Sequence, residues 1–291
     1  MTREFGETRS AAAAFGYGGI ILGSLLGCLL STTTFAQANV DAADAADAAK
    51  PAIALIIDDL GHRRRAGVRA VTLKGPVAVA ILPHTRHSML LAELAHLRAK
   101  EVLLHLPLQP EDLDWQPDPG GIGMRAGEAE LLRILRKNLQ VMPHVSGVSN
   151  HMGSLFTRQP AHMAWIMREL RRQNDLFFVD SYTHPGSVGL EVANAFQVPA
   201  VKRDVFLDDD PSPEAVALQF ARLKKLARER GHAVGIGHPR DATLRVLEQE
   251  IPRLADEGYE LISVTQMIRR QRGQEDTRQA RLRPMPESPT R

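Results

Sequence analysis

Between Pro51 and Arg270 short apolar runs alternate with longer segments whose apolar residues recur at helical spacing, and this alternation predicts βα units around a parallel sheet or barrel. Up to eight units are expected. Their strands are Ile53–Ile57, Val77–Leu82, Val102–Leu106, Val145–Ser149, Leu176–Val179, Ala200–Val205, Ala233–Gly237 and Glu260–Val264. The first of these is apolar at every position, as suits a strand covered on both faces. Glu128–Leu139, with Leu131, Leu132, Leu135 and Leu139 on one stripe, carries a clear helical period, as does Pro213–Arg230 with Val216, Phe220, Leu223 and Leu226. The stretch from Gln109 to Ala126 resists the scheme. A long insertion rich in Pro and Gly is more often a binding or lid loop than an accident; its Trp115 is either a stacking platform for a sugar face or a pin to the core.

A chain of 291 residues with 44% hydrophobic content suffices for one large domain. A net charge of +2, with both signs spread along the chain, gives no reason to expect a nucleic-acid partner. Cys28 is the sole cysteine, so the folded part has neither a disulfide nor a thiol nucleophile. Arg3 and Arg9 precede a weakly polar run from Ala11 to Leu30, and Ala36-Gln37-Ala38 forms a small-x-small cleavage pattern. Together they predict a signal over residues 1–38, export to the periplasm, a mature chain from about Asn39, and no stable membrane insertion after processing. Two other readings of this segment are a membrane anchor through residues 11–30, which is short of hydrophobicity, and a lipoprotein signal at Leu25-Leu26-Gly27-Cys28, where Leu26 is bulky for its place. Residues 39–50 read as a low-complexity linker and 271–291 as a disordered tail, leaving a domain over 51–270.

The residues at the C-terminal ends of the expected strands are where α/β sheets and barrels place their sites. In order they are Asp58 and Asp59, Pro83 and His84, His105, Asn150 and His151, Asp180, Arg203 and Asp204, and His238. A set dominated by His and Asp is hard to explain as turn chemistry. Side chains alternate along a strand, so at most one of Asp58 and Asp59 aims straight along a pocket wall and the other reaches it from the turn. The pair suggests a metal ligand beside a base, although a helix cap would account for one of them. His105 taken alone reads as a satisfied core histidine. His151, followed by Gly153 and Ser154, and His238, between Gly237 and Pro239, are better placed for chemistry. His62, His87, His96, His144, His162 and His232 read as surface or helix-end residues. One carboxylate and two imidazoles form a metal site with a position open for water, and Asp59, His105 and His151 meet that count.

The segments IIDDLG, LLHLPLQP, SNHMGS, FFVDSYT, RDVFLDDD and GIGHP, in that order, resemble the divergent polysaccharide deacetylases, an offshoot of the NodB-like carbohydrate esterases. The resemblance implies a distorted (β/α) barrel of seven to eight units of the glycoside hydrolase/deacetylase type. It also implies a divalent metal, most simply zinc, and removal of an acetyl group from a glycan of the cell envelope. It assigns metal binding to Asp59, the base to Asp58 and the acid that protonates the leaving group to His238. The superfamily's third strand carries two histidines four apart; His105 takes the first place, but Gln109 stands in the second, and His151 is the proposed replacement. Asp180 and the Arg203/Asp204 pair then tune the base and the acid, with Asn150 and Trp115 beside the substrate. A second reading, prompted by Gln109, is a binding or regulatory protein that has lost turnover. A third, a metal phosphodiesterase, has only Arg203 and Arg240 among the strand-end motifs to neutralise phosphate.

Overall fold

The apolar run Ile53–Ile57 lies in β1 (Ala52–Leu60), buried along nearly its whole length. One edge of β1 pairs with β8 (His232–Gly237), from Ala52 against His232 to Ile57 against Gly237. The other edge is shared by β9 (Glu260–Leu261) at the N-terminal end and β2 (Ala78–Ile81) at the C-terminal end. Beyond β2 follow β3 (Val102–Leu108), β4 (Val145–Met152), β5 (Phe177–Asp180) and β6 (Ala200–Lys202), while β7 (Val205–Phe206) lies outside β8. Every pairing is parallel, so all strand C-termini open at one end. The structure, a computed structural model, describes residues 50–282 except 113 and 174–175, with backbone alone for 275–282. The expected signal segment and nearly all of the expected linker lie outside the described residues.

Alternation along β1 sorts its side chains into two layers. Ile53, Leu55 and Ile57 face outward into the larger core formed with the surrounding helices, whereas Ala52, Ala54 and Ile56 face the interior with Ala78, Ala80, Leu103, Val179, Val234 and Ile236. Small residues on the inner face let strands curve tightly, giving a distorted barrel. The helices are α1 (Arg64–Thr72), α2 (Ser88–Leu97), α3 (Glu128–Val141), α4 (Pro160–Arg172), α5 (Gly189–Ala195), α6 (Pro213–Arg230), α7 (Asp241–Glu250) and α8 (Val264–Leu282). In α3 the buried residues are Leu131, Leu135 and Asn138, at i, i+4 and i+7. At α6 the Ser212 side chain accepts from the Ala215 amide, Pro213 opens the helix and Gly231, with φ of 80°, ends it. The end of the barrel away from the strand C-termini is closed by α8, whose Val264, Met267 and Ile268 join the inner layer. Its first amides, Val264 and Thr265, donate to the Glu101 carboxylate at the start of β3.

Two expectations are corrected here. The run Ala200–Val205 is not one strand: β6 pairs with β5 and β7 with β8. Between them the Arg203 amide donates to Asp180 O and the next amide, of Asp204, donates to Val234 O. Lys202-Arg203-Asp204 therefore crosses the gap between the sheet's two edges, and the chain itself closes the circuit. The second concerns the tail. The helix α8 runs on to Leu282, past the expected boundary at Arg270. Its sequence there is poor in apolar residues but holds three Arg and three Gln, which favour helix, and the prolines come only from position 284 onward.

Candidate active site

At its exit β1 is bulged: its register against β2 shifts between Ile57 and Leu60, and Asp59 adopts φ of 59°. A bulge breaks the two-residue period and re-aims side chains, so Asp58 and Asp59 converge instead of diverging. Both face one nitrogen, with His105 Nε2 3.0 Å from Asp59 Oδ1 and 3.7 Å from Asp58 Oδ2. His84, Met152 and Tyr182, also at strand exits, share the left-handed conformation. Each such residue costs on the order of 1–3 kcal/mol, a strain that typically gathers at functional sites. Gly61 turns the chain away with φ of 129°, where a Cβ would meet Thr85 Oγ1 at 2.0 Å.

His105, buried within β3, has Nδ1 2.8 Å from Ser149 Oγ on the neighbouring strand, which fixes the ring and leaves Nε2 for Asp59. His151 near the end of β4 brings Nδ1 to 2.8 Å from the same Asp59 Oδ1. Close approach of the following turn is possible because Gly153, with φ of 85°, packs where a Cβ would lie 3.0 Å from that of Leu108. Despite these short separations Asp59 Oδ1 is buried with no aligned hydrogen bond. One ligand atom from each of Asp59, His105 and His151 lies within 4.8 Å of the other two, close enough to share one ion. Asp59, His105 and His151 are the one metal-capable group among the described residues, and their donor set suits a divalent ion with a further position open.

The electrostatics fit those roles. Burial works to raise the Asp59 carboxyl, but the His105 and His151 imidazoles outweigh it and hold it far below the usual carboxylate range, so it stays ionised as a ligand must. Burial dominates at Asp58 and pushes its carboxyl up. Asp58 is 3% exposed; its Oδ1 has no hydrogen bond, and its Oδ2 lies 3.5 Å from Ser181 Oγ. Across the mouth His238, just past the end of β8, has Nε2 3.6 Å from Asp59 Oδ2, and its Nδ1 lies 2.9 Å from Asp208 Oδ1. Burial lowers the His238 imidazole, but the Asp208 hydrogen bond and the charge of Asp59 outweigh it, and the net direction is up.

Asp208 is the residue that sequence reasoning missed, and it corrects the role given to Asp204. Fully buried, Asp208 accepts from the His238 amide at 2.7 Å and from Thr243 Oγ1 at 2.7 Å. Asp204 instead turns away from the mouth, accepting from the Val234 amide at 2.8 Å and pairing with Arg230 at 3.3 Å. Arg203 does face the site side, where it donates to Ser181 O and Tyr182 O at 2.6 and 2.7 Å. Asp180 accepts from the Tyr182 amide and Ser187 Oγ, and Asn150 accepts from the Ser181 amide while donating to Met152 O. These residues shape the loop that carries Ser181 to Asp58 and touch neither proposed ligand nor acid.

Gln109 has work of its own. Its Oε1 accepts from the Met124 amide at 2.8 Å, its amide donates to Ile122 O and its carbonyl accepts from the Phe156 amide. It staples both ends of the long loop to the barrel. That loop borders the site through Asp118, whose Oδ2 is 3.6 Å from His151 Nε2. Trp115 is half-buried, and a Cβ on Gly123 would lie 3.6 Å from its ring. His84 binds Asn138 Oδ1 at 2.9 Å rather than joining the ligands. His62, expected as a plain surface residue, lines the cleft of about 220 Å³ that holds Asp59 and His238.

A family model for divergent polysaccharide deacetylases matches residues 55–268, and the chain belongs to that family. It is 36% identical over 203 residues to the uncharacterized protein YibQ of Escherichia coli, covering 69% of this chain and 63% of that one. The chain thus spans less than two thirds of that relative's length. An uncharacterized protein of Haemophilus influenzae is 30% identical over 209 residues, covering 72% of this chain and 74% of its own. The crystal structure of the uncharacterized protein ATU2773 from Agrobacterium tumefaciens shares the fold, with a TM-score of 0.72 at 20% identity, over 76% of this chain and 90% of that one.

Proposed function

We propose that the protein is a zinc-dependent hydrolase that removes acetyl groups from a glycan of the cell envelope. The reading is carried by the clustering of one potential ligand atom each from Asp59, His105 and His151 within 4.8 Å, flanked by the buried, unpaired Asp58 oxygen and the His238–Asp208 pair. Those three side chains would hold the metal, which when bound polarises an acyl carbonyl and makes water easier to deprotonate. Asp58 accepts the proton of the attacking water; a carboxyl raised by burial is a stronger base than an exposed one. His238 gives a proton from Nε2 to the departing amine, because Nδ1 is committed to Asp208. As the C–N bond breaks, the proton count balances: Asp58 gains one and His238 loses one. Gln109, which prompts the reading without turnover, holds the loop through the Met124 amide, and His151 completes the ligand count in its place.

Asp58→Asn should retain metal and lose acetate release from N-acetylated glycans, since a base is needed for turnover and not for coordination. Unchanged acetate release would defeat the mechanism, and absence of bound metal in the wild-type protein would defeat the reading as a whole. The proposed site of action is the periplasm, after cleavage behind Ala38. Mass spectrometry of the exported protein tests this, with an N-terminus near Asn39 as the expected result.

A further inference from the structure

Four consecutive basic residues, His62-Arg63-Arg64-Arg65, follow Gly61 directly and are all exposed. They enter α1, whose first turn contains no acidic residue and whose N-cap makes no side-chain hydrogen bond. The N-terminus of a helix is its positive end, where cations are unfavourable and carboxylates favourable. Arg63 and Arg64 break this local rule with no ion pair to a carboxylate among the described residues, which is the mark of a functional constraint.

Their surroundings indicate what they serve. Arg63 lines two neighbouring clefts: one of about 220 Å³ with Asp59, His62, His238 and Arg240, and one of about 340 Å³ with Arg65, Arg69 and Asp241. Asp241 is already held by Arg69 at 2.5 Å and Arg245 at 2.8 Å, and Arg69 also binds Glu248. Arg240 donates to the Asp208 carbonyl. Among the described residues no carboxylate forms an ion pair with Arg63, Arg64, Arg65 or Arg240. Arg65 feels Asp241 across the second cleft without pairing with it, and exposed guanidiniums free of a carboxylate ion pair lead from open solvent to the two residues proposed to handle metal and proton. We infer that the glycan is acidic, and that a carboxylate or phosphate on a sugar near the reacting one is bound by Arg63 and Arg240, with Arg65 extending the path. The inference rests on the proposed function for the position of the reacting group, but the anion site stands on its own residues. Guanidinium forks suit both anions.

Equilibrium binding to the purified protein, in the presence of a chelator so that no metal can attract the anion, tests it. The probes are a neutral N-acetylglucosamine tetrasaccharide, a tetrasaccharide alternating N-acetylglucosamine with glucuronate, and the neutral tetrasaccharide phosphorylated at one 6-hydroxyl. At low salt one or both acidic probes should bind about tenfold tighter than the neutral one, as expected for two or more partly exposed ion pairs. The preference should shrink as sodium chloride rises. It should vanish in the Arg63→Ala/Arg240→Ala double variant and survive in Arg133→Ala, which removes the same kind of charge from a pair with Glu130. Whichever acidic probe binds tighter identifies the anion. Equal binding of all three, preference retained in the double variant, or tighter binding of a single-stranded oligonucleotide than of any glycan would overturn the inference. Acidic preference in a protein that releases no acetate would uphold it while the hydrolase reading fails.

Discussion

His238 is bound twice by Asp208: its amide donates to Oδ2 at 2.7 Å and its ring Nδ1 lies 2.9 Å from Oδ1. One carboxylate thus fixes both the backbone and the tautomer, leaving Nε2 facing Asp59. If His238 is the acid, His238→Ala should lower kcat about 10²–10⁴-fold, the usual worth of a positioned acid. Asp208→Asn should lower it less and also shift the alkaline limb of the kcat profile downward, because the carboxylate that stabilises the imidazolium is gone. Metal content should be unchanged in both. A kcat in His238→Ala equal to wild type would remove the acid assignment.

Both imidazoles approach Asp59 Oδ1, so if these residues hold the proposed metal His151 is equivalent to His105 as a ligand. His151→Ala and His105→Ala should lose metal affinity by similar factors, each larger than the ~10–100-fold typical of residues behind the ligands. Gln109→Ala should behave differently, keeping the metal while making the 109–126 loop more open to proteolysis, since the Met124 amide loses its acceptor. Titration with zinc alongside limited proteolysis separates the two behaviours. Wild-type affinity in His151→Ala would exclude it from the ligand set.

Far from the mouth, Glu169 on α4 is buried and receives Arg136 at 3.0 and 2.8 Å, Arg172 at 3.1 and 2.8 Å, and Gln173 at 3.0 Å. Burial acts to raise its carboxyl, but these donors outweigh it and hold it at about 2. A folded value below the unfolded one adds stability that is complete above the ordinary glutamate range and is lost as pH falls toward 2. Both guanidiniums are half-exposed or more, so solvent screening limits the contribution to about 1–2 kcal/mol. Denaturant titrations of wild type and Glu169→Gln should differ by that amount at pH 7 and converge near pH 2. A constant gap across this range would show that the effect is packing and not charge.

The basic start of α1 carries a prediction of opposite sign to most substitutions. Arg64→Glu places a carboxylate at the positive end of the helix and should raise stability by about 0.3–1 kcal/mol. A fall in melting temperature would mean that Arg64 has a structural role.

Much of the barrel was legible because each strand is a short apolar run ended by a polar residue, and parallel pairing then brings those ends together. Asp59, His105, His151 and His238 could be grouped from strand order alone. What stayed hidden had local causes. The bulge that turns Asp58 and Asp59 the same way has no signature in Ile-Asp-Asp-Leu, because alternation is the default and only the backbone at Asp59 breaks it. Asp208 lies in the RDVFLDDD segment but at the end of no expected strand, because the two-residue β7 before it is too short to register as a strand of its own. Its position at a strand exit, beside the strand that ends in His238, was the signal available. The gap at Arg203 and Asp204 was hidden inside what read as one strand, since Ala200, Val201 and Val205 supply the apolar pattern on both sides of it.

That gap has a consequence for how the fold can be altered. Neighbouring strands elsewhere around the ring are joined by ladders, so changing the spacing between them means breaking several hydrogen bonds together. At Arg203 and Asp204 two consecutive peptide groups each grip a different edge. The girth of the barrel is set there by the length of a covalent strap. One inserted residue between them would let the ring widen with every ladder intact, which makes this the position where a lineage, or an engineer, could enlarge the mouth for a bulkier ligand by a single codon.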